Sequence, residues 1–296
     1  MDMATRNTGL GIIAILMWSS LGALGFVSAA LDPVSLLAWS FLAAGLVSGG
    51  IALVRGDRFE FSVFEFGLTC ALMAGYHVAF LEAFKHGPAV PVSILNYLWP
   101  MFFVLLGHLF FGFFASKGAL IGTMLGFGAA VLLTTSSSET QQSFEQPWLG
   151  YSLALFGAVL WALYSNLRRR SAFGGTASTA WICLGAAVIC FAAAFVTDAN
   201  SLLINWGDVW IVAVFALGPA GGAFFLWDYG IRHGDASFPA VAAYATPILS
   251  TLLMVSLGIG SANWTIGLAA TLVTAGGVLA TLKRPPAKGG PSLSPD

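Results

Sequence analysis

Long apolar runs alternate along this chain with short polar or turn-forming separators, at a spacing that matches the thickness of a lipid bilayer. A helix needs about 20 mainly apolar residues to cross ~30 Å of hydrocarbon. Ten runs meet that description, over approximately 9–30, 34–54, 65–84, 89–114, 118–135, 148–167, 177–196, 208–230, 237–258 and 264–282. The separators include Asp32-Pro33, Arg55 to Glu60, Gly87-Pro88, Ser116-Lys117 and the stretch Ser136 to Pro147. Val27-Ser28-Ala29 resembles a signal-peptide cleavage site. The apolar stretch before it is longer than a typical signal-peptide core, so the first run is read as a span.

Charge placement orients these spans. Lys and Arg concentrate in cytoplasmic loops. With a cytoplasmic N-terminus, ten spans put Arg6, Arg55, Arg58, Lys117, Arg168, Arg169, Arg170, Arg232, Lys283, Arg284 and Lys288 inside and Lys85 alone outside. One missed helix would scramble every later loop, so this separation supports the count. The expected fold class is an all-α integral membrane protein of ten transmembrane helices, N-in and C-in.

The two halves of the chain echo one another. His86-Gly87-Pro88-Ala89 returns as His233-Gly234-Asp235-Ala236, and at the same offset of 147 Tyr97 meets Tyr244 and Pro100 meets Pro247. Trp18 corresponds to Trp161, and Ile121-Gly122 to Ile266-Gly267. Each half then holds five helices, and an odd number makes the second copy enter the membrane from the opposite side. Two inverted five-helix repeats are expected, over 1–135 and 148–282, joined by an external linker at 136–147 and followed by a disordered cytoplasmic tail at 283–296. Inverted repeats are characteristic of transporters, with substrate bound near the midplane between the halves.

Composition agrees with a membrane protein and removes other classes. Hydrophobic residues make up 58% of the chain and charged residues 8%, against about 25% charged in a soluble domain. The net charge of −1 offers no basic field for nucleic acid. Cys70, Cys183 and Cys190 lie in apolar runs without zinc spacing and read as small core residues. No metal or other cofactor is expected. Neither Gly-x-Ser-x-Gly nor His-Glu-x-x-His is present, and no paired midplane acids nominate an enzyme.

Polar and aromatic groups at membrane depth face a protein interior or a wet cavity. The third run offers Tyr76 and His77, and the fourth offers Ser93, Asn96, Tyr97 and Trp99 with Pro91 and Pro100. Ser93, Tyr97 and Pro100 share one helical face. The eighth run carries Gly218-Pro219-Ala220-Gly221-Gly222 and then Phe224, Trp227 and Asp228; the ninth carries Pro239, Tyr244, Thr246 and Pro247. Trp18 and Trp161 lie well inside their spans, whereas Trp148, Trp206, Trp210 and Trp264 fall at run ends and suit an interfacial belt. The binding candidates are therefore Trp18, Tyr76, His77, Asn96, Tyr97, Trp99, Trp161, Trp227 and Tyr244. Pro91, Pro100, Pro219, Pro239 and Pro247 are candidate hinges, since proline removes a helical hydrogen bond. His77 reads equally well as a core histidine bonded to a backbone carbonyl. Asp228 with Arg232, and Glu82 with His86, have i,i+4 spacing and read as structural pairs. Gly45/Gly49 and Gly122/Gly126 permit close helix contact.

A cavity of Tyr, Trp, His, Ser and Asn with no midplane charge suits a small zwitterion, its aromatic walls stacking on an apolar side chain.

Together, Trp18, His86-Gly87-Pro88-Ala89, Asn96-Tyr97-Leu98-Trp99-Pro100 and the echo from Tyr244 to Pro247 resemble the drug/metabolite transporter superfamily, EamA type. Within it the run Asn96 to Pro100 is most similar to the YddG-like aromatic amino-acid exporters. That resemblance implies a central cavity lined by Tyr76, His77, Tyr97, Trp99 and Trp161. It also implies export of aromatic and other neutral amino acids across a bacterial inner membrane. Many EamA-type chains carry a Glu-containing turn after the fourth and ninth helices, where this one reads Ala115-Ser116-Lys117 and Gly258-Ile259-Gly260-Ser261. The expected partners are an amino-acid substrate and the bilayer, and a monomer is sufficient. The competing expectation is a drug or other small-metabolite exporter of the same fold; an intramembrane enzyme or a receptor fits less well.

Overall fold

Leu98 and Ala245, 147 residues apart, each cap the start of a helix whose second residue is proline. The computed structural model describes residues 3–56, 62–112, 117–135, 144–171, 176–198, 202–233, 245–261 and 263–281. All regular elements among them are helical. The first half contains α1 (Met3–Ser19), α2 (Leu21–Val27), α3 (Pro33–Arg55), α4 (Val63–His86), α5 (Ala89–Asn96), α6 (Trp99–Phe111) and α7 (Lys117–Thr135). The second contains α8 (Pro147–Arg170), α9 (Thr176–Asp198), α10 (Val209–Leu217), α11 (Gly222–His233), α12 (Thr246–Ser256) and α13 (Trp264–Thr281). A 3-10 turn at Trp206–Asp208 leads into α10.

Among the described residues seven helices are long and apolar enough to cross a membrane: Gly9–Val27, Pro33–Arg55, Val63–His86, Ala89–Phe111, Pro147–Arg168, Ala177–Asp198 and Trp206–Trp227. Three shorter apolar helices, Leu120–Leu133, Thr246–Ser256 and Trp264–Leu279, stand where the fifth, ninth and tenth runs were expected. The start of the ninth run, with Pro239 and Tyr244, lies outside the described residues, as do the tail and most of the 136–147 linker. The same holds for the side chains of Asp228 and Arg232.

Three runs expected to be continuous are broken. The first changes helix at Ser20, the fourth at Tyr97-Leu98 and the eighth at Gly218–Gly221. Three of the candidate prolines open helices rather than interrupt them, while Pro219 lies in the break at Gly218–Gly221. Pro100 and Pro247 occupy the second position of α6 and α12, and Pro91 the third of α5. The first N–H groups of a helix have no intrahelical acceptor, so a residue without one costs nothing there. Leu98 and Ala245 cap these two helices with nearly the same backbone, φ −74°, ψ −7° and φ −79°, ψ −10°.

Local chemistry fixes several other ends. The Asp32 carboxylate accepts from Ser35 N–H at 2.8 Å and Ser35 Oγ at 2.7 Å, with Pro33 opening α3. This satisfies one of the free donors at that end. Gly56, Gly112 and Gly258 take positive φ of 69°, 70° and 72° where α3, α6 and α12 stop, a conformation a side chain would strain.

Helices approach closely at several glycines. A Cβ on Gly45 would lie 2.6 Å from Leu184 Cγ, one on Gly276 2.6 Å from the Gly122 carbonyl, and one on Gly150 2.7 Å from Gly87 N. These contacts join α3 to α9, α13 to α7 and α8 to α4, and α1 packs in turn on α11. Exchanging first-half spans for their second-half counterparts leaves this set of pairings unchanged. Phe41, Met73, Phe80 and Phe215 are fully buried among them, and the three cysteines are buried free thiols.

Candidate functional site

Trp161, in the middle of α8, gathers a wall of rings from four other elements. Its ring centroid lies 4.8 Å from Tyr76, 6.1 Å from His77, 6.4 Å from Trp99 and 5.6 Å from Phe224. Tyr164, one turn along α8, stacks on it at 4.8 Å with a 17° interplanar angle. Phe224 also meets Trp18 at 5.5 Å, and Trp18 meets Trp227 at 5.4 Å. Trp18, Trp227, Trp161, Tyr76, His77 and Trp99 therefore form one chain of contacts with Phe224, from α1 through α11 and α8 to α4 and α6. Trp18, Trp99, Trp161, Phe224 and Trp227 are half-buried despite this company.

Polar groups edge the wall. Asn96 Nδ2 donates to the Tyr76 hydroxyl at 3.3 Å, and the Tyr97 hydroxyl donates to the Trp18 carbonyl at 3.3 Å. Ser93 and Ser250 meet through their hydroxyls at 3.3 Å, and both are fully buried. Gly22 of α2 presses on this pair, since a Cβ there would lie 2.6 Å from Ser93 Oγ. His77 Nδ1 faces the Met73 carbonyl at 2.9 Å, and the imidazole sits edge-on to Phe41 at 5.1 Å and Tyr76 at 4.5 Å. It is at once a backbone-bonded core histidine and a neighbour of Trp161.

The break between α10 and α11 sets Trp18. Ala220 N–H donates to the Phe215 carbonyl and Ala223 N–H to the Gly218 carbonyl, each at 2.9 Å and each five residues back. These wide turns surround Pro219, whose carbonyl accepts from Trp18 Nε1 at 3.2 Å. Such i→i+5 turns interrupt α-helices at functional sites more often than elsewhere.

Sequence reasoning missed Tyr164 and Asn166 as neighbours of the site and did not place Phe224 within it. Asn166 is fully buried and donates to the Phe103 carbonyl at 2.8 Å, tying α8 to α6. Tyr164 could have been found, because three residues from Trp161 is the same helical face. Glu82 pairs with both Lys85 at 3.1 Å and His86 at 3.3 Å, away from the wall. Trp148, Trp206, Trp210 and Trp264 are exposed at helix ends. No cluster of His, Cys, Asp and Glu able to hold a metal occurs among the described residues.

The profile of the EamA-like transporter family matches residues 8–135 and again 148–282. The aromatic amino acid exporter YddG of Ancylobacter novellus is 30% identical, over 93% of this chain and 96% of its own length. The protein of the same name from Escherichia coli K12 is 28% identical, over 94% and 97%. A crystal structure 29% identical superposes with a TM-score of 0.69, covering 94% of this chain and 97% of that one.

Proposed function

The chain belongs to the EamA-like transporter family, and on that footing we propose that it exports aromatic and other neutral amino acids across the bacterial inner membrane by alternating access. It is a multi-pass membrane transporter rather than an enzyme. The observation that carries the substrate is the wall around Trp161, rings from five elements with neutral hydroxyl and amide groups at its edge. Such a surface stacks on a flat apolar side chain. The described cations Arg55, Lys85, Lys117 and Arg168 fall at helix ends, with Arg168 acting on Tyr164 at the edge of the wall.

The proposed architecture is ten spans in two inverted five-helix repeats, N-in and C-in, with a single chain sufficient for transport. The matched helix starts after Leu98 and Ala245, the exchange-symmetric helix pairings and the double family match support it. In this reading Trp18, Tyr76, His77, Asn96, Tyr97, Trp99, Trp161, Trp227 and Tyr244 line the path, and Pro91, Pro100, Pro219, Pro239 and Pro247 mark the hinges.

Counterflow into proteoliposomes tests the function. Labelled phenylalanine and tryptophan should enter vesicles preloaded with the same amino acid faster than protein-free controls, with threonine slower. Transport of a cationic dye with no flux of any amino acid would replace this reading with a drug exporter of the same fold.

A further inference from the structure

Asn96 is the last residue of α5, is 2% exposed, and spends its side-chain amino group on the Tyr76 hydroxyl. Its side-chain carbonyl oxygen is buried without a partner among the described residues. The backbone carbonyl of the same residue is denied its helical donor as well, because the residue four positions on is Pro100, which has no N–H. Among the described residues the side-chain acceptor is thus left over, and the backbone one lacks its i+4 donor, beside a ring that touches Trp161 at 4.8 Å. A buried acceptor that gives up water and gains nothing is unfavourable, and such vacancies are rare enough to call for a donor.

We propose that Asn96 receives the α-ammonium of the transported amino acid, while the rings around Trp161 hold its side chain; this rests on the amino-acid reading above. An ammonium brings three N–H donors and no acceptor. It can therefore bond the side-chain carbonyl and still reach the backbone carbonyl. Hydrogen bonds from a charged donor are roughly twice as strong as neutral ones, so an uncharged amide selects for the cation. The side-chain oxygen is enclosed in this conformation, and the α5–α6 break begins at the very next residue. Bending there admits the substrate and completes the pairing.

The test compares phenylalanine with 3-phenylpropionate, which has the same ring and chain but no ammonium, and with phenethylamine, which has no carboxylate. In proteoliposomes the wild-type chain should prefer phenylalanine to 3-phenylpropionate by tenfold or more. Asn96→Leu, similar in volume but without the acceptor, should lower phenylalanine flux about tenfold and leave 3-phenylpropionate unchanged, so the preference collapses. Asn96→Asp keeps an acceptor and adds charge, and should raise phenethylamine relative to phenylalanine; it serves where the leucine variant fails to fold. An unchanged substrate ratio in a folded variant overturns this assignment and leaves the exporter reading standing. A wild-type protein that carries no amino acid overturns both.

Discussion

Trp18 and Pro219, 201 residues apart, are joined by one hydrogen bond, from the indole N–H of α1 to the carbonyl in the break between α10 and α11. The bond reads the break directly, since that carbonyl belongs to the wide turn around Pro219. Trp18→Phe keeps an aromatic ring against Phe224 and Trp227 but loses the donor. A net loss of about 1 kcal/mol is expected, seen as a lower melting temperature in detergent. Phenylalanine counterflow should fall while Trp227→Phe, which leaves that bond intact, falls less.

Trp161 is the point where rings from three other elements meet, so truncation there should be the most damaging single change in the wall. Trp161→Ala is expected to destabilise by about 3–5 kcal/mol and to abolish flux. Trp161→Phe keeps part of the surface and should retain measurable transport with a weaker preference for tryptophan over smaller amino acids. Competition counterflow with both substrates checks this. Equal preference in wild type and variant would remove Trp161 from the binding surface.

Gly22 faces Ser93 and Ser250, where a methyl group would sit 2.6 Å and 3.0 Å from their hydroxyl oxygens. Gly22→Ala should cost about 1–3 kcal/mol by overpacking. Adding Ser93→Ala removes the nearer oxygen and should recover about half of that. A double-mutant cycle measures the coupling, and strict additivity would show that the three residues do not press on one another.

The proposed orientation predicts which ends face which compartment. After Cys70, Cys183 and Cys190 are changed to alanine, Glu145→Cys should react with an impermeant maleimide on intact spheroplasts. Lys117→Cys should react only after the membrane is opened. Both side chains are exposed. The reverse labelling pattern would invert the topology.

The long helices were legible because ~20 apolar residues in a row is a composition signal that needs no knowledge of neighbours. Trp18, Tyr76, Asn96, Trp99 and Trp161 were legible because aromatic and polar groups at that depth are costly in lipid. Phe224 was not placed in the wall, since phenylalanine is equally at home against lipid and only its contact with Trp161 and Trp18 distinguishes it. The prolines announced irregular helices but not where the irregularity falls. In the fourth run the turn lies at Tyr97-Leu98, before Pro100, because proline is best accommodated once a new helix has begun. Asn166 carried no sequence signal at all, as its role is a bond to a backbone carbonyl on another helix.

The twin starts at Leu98 and Ala245 have a mechanical consequence. A helix that bends in its middle must stretch or break backbone hydrogen bonds, and its stiffness rises with each one. At Leu98 the ladder is already interrupted, with Pro100 just inside the new segment offering no donor to lose. Swinging α6 about its first residues therefore leaves the tally of backbone bonds unchanged. Resistance to such a swing comes from side-chain bonds such as Asn166 on Phe103, and Ser250 on Ser93 ties α12 to α5 in the same way. Those side chains, more than the backbone, set how stiff each hinge is.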